Sequence, residues 1–169
     1  RSNGINAITI REGDELLEAK LTDGDNEIVM AKKSGKAIRF HESNARPLGR
    51  TAAGVRGVRL ESEDDAVVGM ICVKEGSGET VMVVSEKGYG KRTALEDYRV
   101  TNRGGKGVKT MSITDKTGHL VAIKSVTEED DLMIINRTGI AIRLNLANVR
   151  IMGRATQGVR LIKMKDTDE

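Results

Sequence analysis

Three copies of one pattern follow each other along this chain, and no other feature limits its fold as tightly. EIVMAKKSGKAIRF, TVMVVSEKGYGKRT and LMIINRTGIAIRLN each pass from an apolar strand through a polar turn ending in glycine into a second, alternating strand. The turn glycines Gly35, Gly88 and Gly139 stand 53 and 51 residues apart. Fifteen residues after each comes an arginine, Arg50, Arg103 or Arg154, then three residues, Gly-Val and a cation. Because that offset holds while the repeat length changes, both signals belong to one unit. Units 14–62, 65–114 and 118–164 follow, opened by the strand-like runs LLEAKL, VVGMICV and LVAIKSV. Four strands in about fifty residues is the size of one propeller blade. The expected fold is all-β, one partial propeller-like domain of tandem four-stranded blade repeats. Residues 1–13, with Gly4 and AITI, read as the end of a preceding blade, and 165–169 as a tail.

Composition agrees. Nineteen glycines against one proline, Pro47, call for many tight turns and favour short strands over a helical bundle. The core has to be aliphatic, since Phe40, Tyr89 and Tyr98 are the only aromatics. Cys72, alone in the apolar run VVGMICV, reads as a small buried hydrophobe. Without a disulfide framework, a signal peptide or a long apolar run, the expected setting is a reducing cytoplasm with no membrane partner. The opening RSNG lacks an initiating Met and reads as a cut from a longer polypeptide.

A net charge of +3 says little, but its distribution says more. Counted from each turn glycine, cations occupy plus 4 (Arg39, Arg92, Arg143), plus 11 (Arg46, Arg99, Arg150), plus 15 (Arg50, Arg103, Arg154) and plus 21 (Arg56, Lys109, Arg160). Lys106 joins the second copy in the stretch TNRGGKGVKT. Asn44 to Leu60, Tyr98 to Thr114 and Leu132 to Lys165 contain no acid, while acids gather near the opening strand of each unit. Equal phases fall on equivalent faces of a repeat fold, so a basic stripe is expected across all three units. Spaced cations and backbone amides at glycine turns suit duplex DNA, held without base readout. Single strands want aromatic platforms, which are scarce here. The competing possibility is that these cations are solvated strand faces or pair with the acids, most of all the plus 4 set.

Catalytic patterns are missing. No P-loop and no GxGxxG occurs, and His41 and His119 lack metal-ligand spacing, which leaves them as surface or turn residues. EEDD at 128–131 reads as a charged turn and GSG at 76–78 as a hairpin loop. Gly54, Gly107 and Gly158 read as demands of backbone geometry, though close approach to a phosphate chain would use the same property. A propeller scaffold for protein partners stays open beside the DNA-binding reading.

The segments GVRGVRL, NRGGKGVKTM, GRATQGVRLI, KGYGKRTALEDY and GDELLEAKLTDGDNEIVMAKKSGKAIRF closely resemble the C-terminal domain of the DNA gyrase A subunit over essentially the whole chain. That resemblance implies a β-pinwheel with strand exchange between about six blades, of which this would be the last three and the end of the one before. It implies a non-catalytic module whose basic rim wraps double-stranded DNA to support negative supercoiling. The implied partners are the rest of the A subunit, together with the B subunit, of a bacterial, chromosome-associated type II topoisomerase. Cofactors are expected to be none in this fragment, ATP and Mg belonging elsewhere in the assembly. The family's QRRGGKG box lies in a first blade outside this chain; Arg103 to Gly107 repeats RGGKG behind Thr101 and Asn102. The topoisomerase IV counterpart is the alternative within the resemblance.

Overall fold

The computed structural model describes residues 3–164; residues 1 and 2 and the expected tail 165–169 lie outside it. In chain order the strands are β1 Glu27–Lys32, β2 Lys36–His41, β3 Val67–Val73, β4 Thr80–Ser85, β5 Tyr89–Ala94, β6 Val108–Lys109, β7 Leu120–Val126, β8 Asp131–Ile135, β9 Ala141–Asn145 and β10 Val159–Arg160. Short 3-10 turns at Glu42–Asn44, Leu95–Asp97 and Leu146–Asn148 follow β2, β5 and β9. Among the described residues no helix is long and apolar enough to cross a membrane.

Each expected hairpin forms for a local reason. The N–H groups of Gly35, Gly88 and Gly139 return to Lys32, Ser85 and Asn136 carbonyls at 3.0, 3.1 and 3.1 Å. Each glycine then takes a left-handed φ near +90°, which lets β1–β2, β4–β5 and β8–β9 close tightly. The order in the first sheet is β3-β1-β2-β6 and in the second β7-β4-β5-β10, all antiparallel, and β8 and β9 pair with each other.

The sheets are out of step with the sequence repeat. β1 and β2 come from the first unit, whereas the strands flanking them, β3 and β6, come from the second. The second sheet likewise takes β7 and β10 from the third unit. Each four-stranded sheet is thus a hairpin clasped on both edges by the following repeat. LLEAKL, Leu16 to Leu21, forms no ladder among the described residues; its counterparts β3 and β7 each pair with the hairpin of the repeat before. GSG at 76–78, expected as a hairpin loop, instead links β3 to β4, which lie in different sheets.

Hydrophobic burial holds the two sheets face to face. Val29, Ala31, Ile71 and Val73 meet Val81, Val83, Leu120 and Ile123, with Leu95, Tyr98 and Met111 closing the layer. Met82, Val126, Leu146, Val149 and Leu161 form the next layer, against the β8–β9 hairpin. β3 and β7 touch one another, so they mark the inner side of the stack, and β6 and β10 lie on the outer side. All three aromatics are buried.

Gly107 and Gly158 have φ +85° and +79°, and a Cβ on either would stand 2.5 Å from the Ala37 or Gly90 carbonyl oxygen. They are required where the outer strand comes down on the preceding hairpin. We expect Gly107→Ala to destabilise the fold by about 2 kcal/mol or more in urea denaturation. Gly153→Ala, with no such φ and open space around it, is expected to shift it by under about 0.5 kcal/mol.

Candidate nucleic-acid interface

The outermost chain of each sheet is the basic segment of the following repeat. Residues 98–109 run beside β2: Arg39 bridges to Val100, Thr101 N–H donates to the Arg39 carbonyl at 2.8 Å, and Lys36 faces Lys109. Residues 149–160 run beside β5 in the same way, with Arg92 bridged to Ile151, Met152 N–H on the Arg92 carbonyl at 2.8 Å, and Tyr89 facing Arg160. Strand exchange therefore places these cations on the rim.

Arg99, Lys106, Lys109, Arg150 and Arg160 sit there in solvent, and Arg46, Arg50 and Arg56 of the first basic segment, which lies beside no described hairpin, are also exposed. Arg103 and Arg154 are half-buried, and they join one rim segment to the next. Arg103 donates from Nε to the Asn44 carbonyl at 2.9 Å and from Nη1 to that of Arg56 at 3.2 Å. Arg154 repeats this on Asp97 at 2.7 Å and Lys109 at 2.9 Å. The last cation of one segment is thereby held against the middle cation of the next. A guanidinium has five N–H donors, so two such bonds leave others for a phosphate.

Two of the plus 4 arginines, Arg39 and Arg92, are not the surface cations expected. Arg39 and Arg92 are 4% and 2% exposed and have no surface to offer DNA. Arg39 Nη1 donates to the Leu95 and Tyr98 carbonyls, both at 3.2 Å, and its Nε lies 3.4 Å from Glu27. Arg92 donates to the Leu146 and Val149 carbonyls at 3.0 and 3.2 Å and from Nε to Thr80 Oγ1 at 3.1 Å. The 3-10 turn of the next repeat lies over each one, its backbone oxygens accepting the buried charge. Arg143, in the same phase, is exposed and pairs with Asp131.

Two further features of this edge were not anticipated. Lys91 is fully buried, its Nζ donating to the carbonyls of Gly153 at 2.8 Å, Thr156 at 2.9 Å and Arg154. Desolvation, and then the Arg154 guanidinium, pull its pKa down to about 8, against the pull of those carbonyls. The only sequence trace of this was its departure from Ile38 and Ile142 at the same phase. Glu61 accepts from Lys36 at 2.8 Å and lies 3.4 Å from Lys32 and 3.7 Å from Lys106. The bond from Lys36, followed by the charge of Lys32, holds its carboxyl at about 2. An acid thus sits inside the basic border, where segment-by-segment counting showed none. His41 ends β2 and caps the first 3-10 turn, its ring accepting from Ser43 N–H at 3.1 Å. Burial pushes the half-buried Cys72 thiol up, away from reactive thiolate. Among the described residues no cluster of His, Cys, Asp and Glu could hold a metal.

The model of the DNA gyrase C-terminal domain, a β-propeller family, matches residues 26–74, 79–127 and 130–169. The chain belongs to this family. The first two matched stretches each run from a hairpin through the inner strand that pairs with it, β3 or β7. The DNA gyrase A subunit of Staphylococcus aureus, from strains MRSA252 and NCTC 8325, is 51% identical over 164 residues. That alignment takes in 97% of this chain and 18% of the relative, so the chain spans under a fifth of their length. A solved DNA gyrase A C-terminal domain superposes with TM-score 0.86 at 26% identity, covering 98% of this chain and 56% of that one. The C-terminal domain of a DNA topoisomerase IV gives TM-score 0.86 at 23% identity over 93% and 48%, a likeness of fold alone.

Replacing Arg92 with Met would remove three hydrogen bonds inside a blade interface of the gyrase-type domain and strip the Val149 carbonyl of its guanidinium donor, while the Leu146 carbonyl keeps the Val149 N–H and the Thr80 hydroxyl keeps the Val126 carbonyl. The expected loss is about 2–4 kcal/mol in chemical denaturation. Arg99→Met on the exposed border is expected to cost under about 0.5 kcal/mol.

Proposed function

We propose that this chain is a non-catalytic module of a DNA gyrase A subunit that binds duplex DNA along its outer border and wraps it. The observation that carries this is the run of exposed cations along successive outer segments, tied blade to blade by Arg103 and Arg154. Duplex DNA is a rod of phosphates, and a cationic edge of this kind takes it up by charge and displaced counterions, with no base readout. Any sequence preference then comes from how easily the duplex bends. Burial of every aromatic argues against single strands, which need exposed rings.

In the holoenzyme the wrapped segment would serve ATP-dependent negative supercoiling. Its partners there would be the rest of the A subunit, together with the B subunit, with ATP and Mg bound elsewhere. The 51% identity to gyrase subunits favours gyrase over topoisomerase IV. It also supports a bacterial cytoplasm and its chromosome as the setting. Catalysis belongs to the parent assembly; this fragment contributes shape and charge.

If about eight phosphates are contacted, log K should fall with log salt at a slope near −7. Replacing Arg46, Arg99 and Arg150 with Ala together should reduce that slope by about three, while Lys124→Ala on inner strand β7 leaves it unchanged. Salt-insensitive binding would favour the protein scaffold instead. Ligating relaxed, nicked plasmid with the fragment bound separates wrapping from simple binding. A consistent change in linking number is expected, and no change would remove wrapping from the proposal.

A further inference from the structure

We infer that Glu61 occupies a phosphate site of the border from within, keeping Lys36 and Lys106 of a three-lysine cradle from duplex DNA. The inference rests on the duplex-binding reading of the border and names the part of it that is masked. The cradle is drawn from three separate stretches of chain: Lys32 at the end of β1, Lys36 at the start of β2, and Lys106 in the basic segment of the following repeat, just before β6. Their ammonium groups converge on one carboxylate. Oε2 of Glu61 takes Lys36 at 2.8 Å and Lys32 at 3.4 Å, while Oε1 faces Lys106 at 3.7 Å. A phosphodiester would present the same thing to these lysines, two anionic oxygens on one centre.

The position suits DNA. Lys36 faces Lys109 across the β2–β6 pair, on the outermost edge of the first sheet. The Lys36 and Lys106 side chains are 36% and 57% exposed, so a ligand can reach both, whereas Lys32 is fully buried and acts only through its charge. Nor does the buried lysine depend on Glu61 alone. Lys32 Nζ donates to the Arg59 carbonyl at 3.0 Å and lies 3.8 Å from Asp65. Asp65 is itself fixed, accepting from Ser34 N–H at 3.1 Å and from its Oγ at 2.9 Å. Glu61, by contrast, begins an exposed stretch, 61–64. The structural partner of Lys32 and the occupant of the cradle are different residues.

Comparison of the repeats gives an independent sign that the four residues form a set. At the same phases the second junction has Ser85 for Lys32, Tyr89 for Lys36, Thr114 for Glu61 and Gln157 for Lys106. Cradle and occupant are missing together, while the hairpin, the outer pair and the Arg154 clasp are kept. The second blade therefore closes on its neighbour without them. What the set changes is the charge on offer to a phosphate, since a lysine bonded to a carboxylate has less of its charge to give.

Anisotropy of a labelled duplex, followed over a series of salt concentrations, reads how many phosphates the 169-residue chain contacts. Glu61→Gln should steepen the fall of log K with log salt by about one to two, and raise affinity at about 0.1 M salt by about fivefold or more. Glu61→Thr, which installs the side chain of the second repeat, should do the same, both variants keeping the circular dichroism of the unaltered chain. Adding Lys36→Met and Lys106→Met to Glu61→Gln should return the slope to about its original value. Glu96→Gln, which removes an exposed acid from the second 3-10 turn, should leave the slope as it was. An unchanged slope in both Glu61 variants, with the unaltered chain still binding duplex, would overturn this inference and leave the duplex-binding reading standing. So would a gain that survives loss of the two lysines, or one matched by Glu96→Gln, because either comes from the overall field and not from the cradle. Salt-insensitive binding by the unaltered chain and every variant would overturn both.

Discussion

A guanidinium buried beneath a 3-10 turn sets how each blade of this protein meets the next. Taking such a charge out of water costs several kcal/mol, and the cost is offset only where each N–H finds an oxygen. Arg92 recovers part of it through two carbonyls and a threonine hydroxyl from two repeats, and Arg39 through two carbonyls and the charge of Glu27, its Nε and Nη2 being buried without a hydrogen bond. One residue of slippage between repeats would leave both the cation and the carbonyls unpaired in an apolar layer. The register of one blade on the next is therefore held by hydrogen bonds of definite direction, while Val, Ile, Leu and Met supply the bulk of the burial.

That register decides where the surface charge goes. Because the turn covering Arg39 or Arg92 leads directly into the basic segment, docking the turn lays that segment along the outer edge of the preceding sheet. Arg103 and Arg154 then clasp the segments to one another through backbone oxygens. Fold and function share one device, since the contacts that stack blades also carry the cations to the rim. Glu61 tempers that border beside Lys36 and Lys106, so the positive potential is uneven along it.

Much of this was legible in the sequence. The hairpins at Gly35, Gly88 and Gly139 were readable because a turn needing a left-handed residue leaves a local mark, and the all-β repeat followed from their spacing. The plus 11 and plus 21 cations were readable as surface residues because a charged side chain stays in water unless a partner pairs with it. The burial of Arg39 and Arg92 was not readable, although they share the same phasing, because their acceptors are backbone oxygens about 55 residues away that any sequence would supply. Lys91 escaped for the same reason.

The order of residues was enough to dictate the repeat, its strands and turns, the aliphatic character of its core and the supply of cations at fixed intervals. Each of these depends on neighbours a few residues apart or on simple periodicity. Only packing chose which repeat completes which sheet, and so which cations face solvent and which become internal locks. Strand exchange is a choice among edges that look alike locally, and it is settled when a whole following repeat brings its turn carbonyls down over a buried charge.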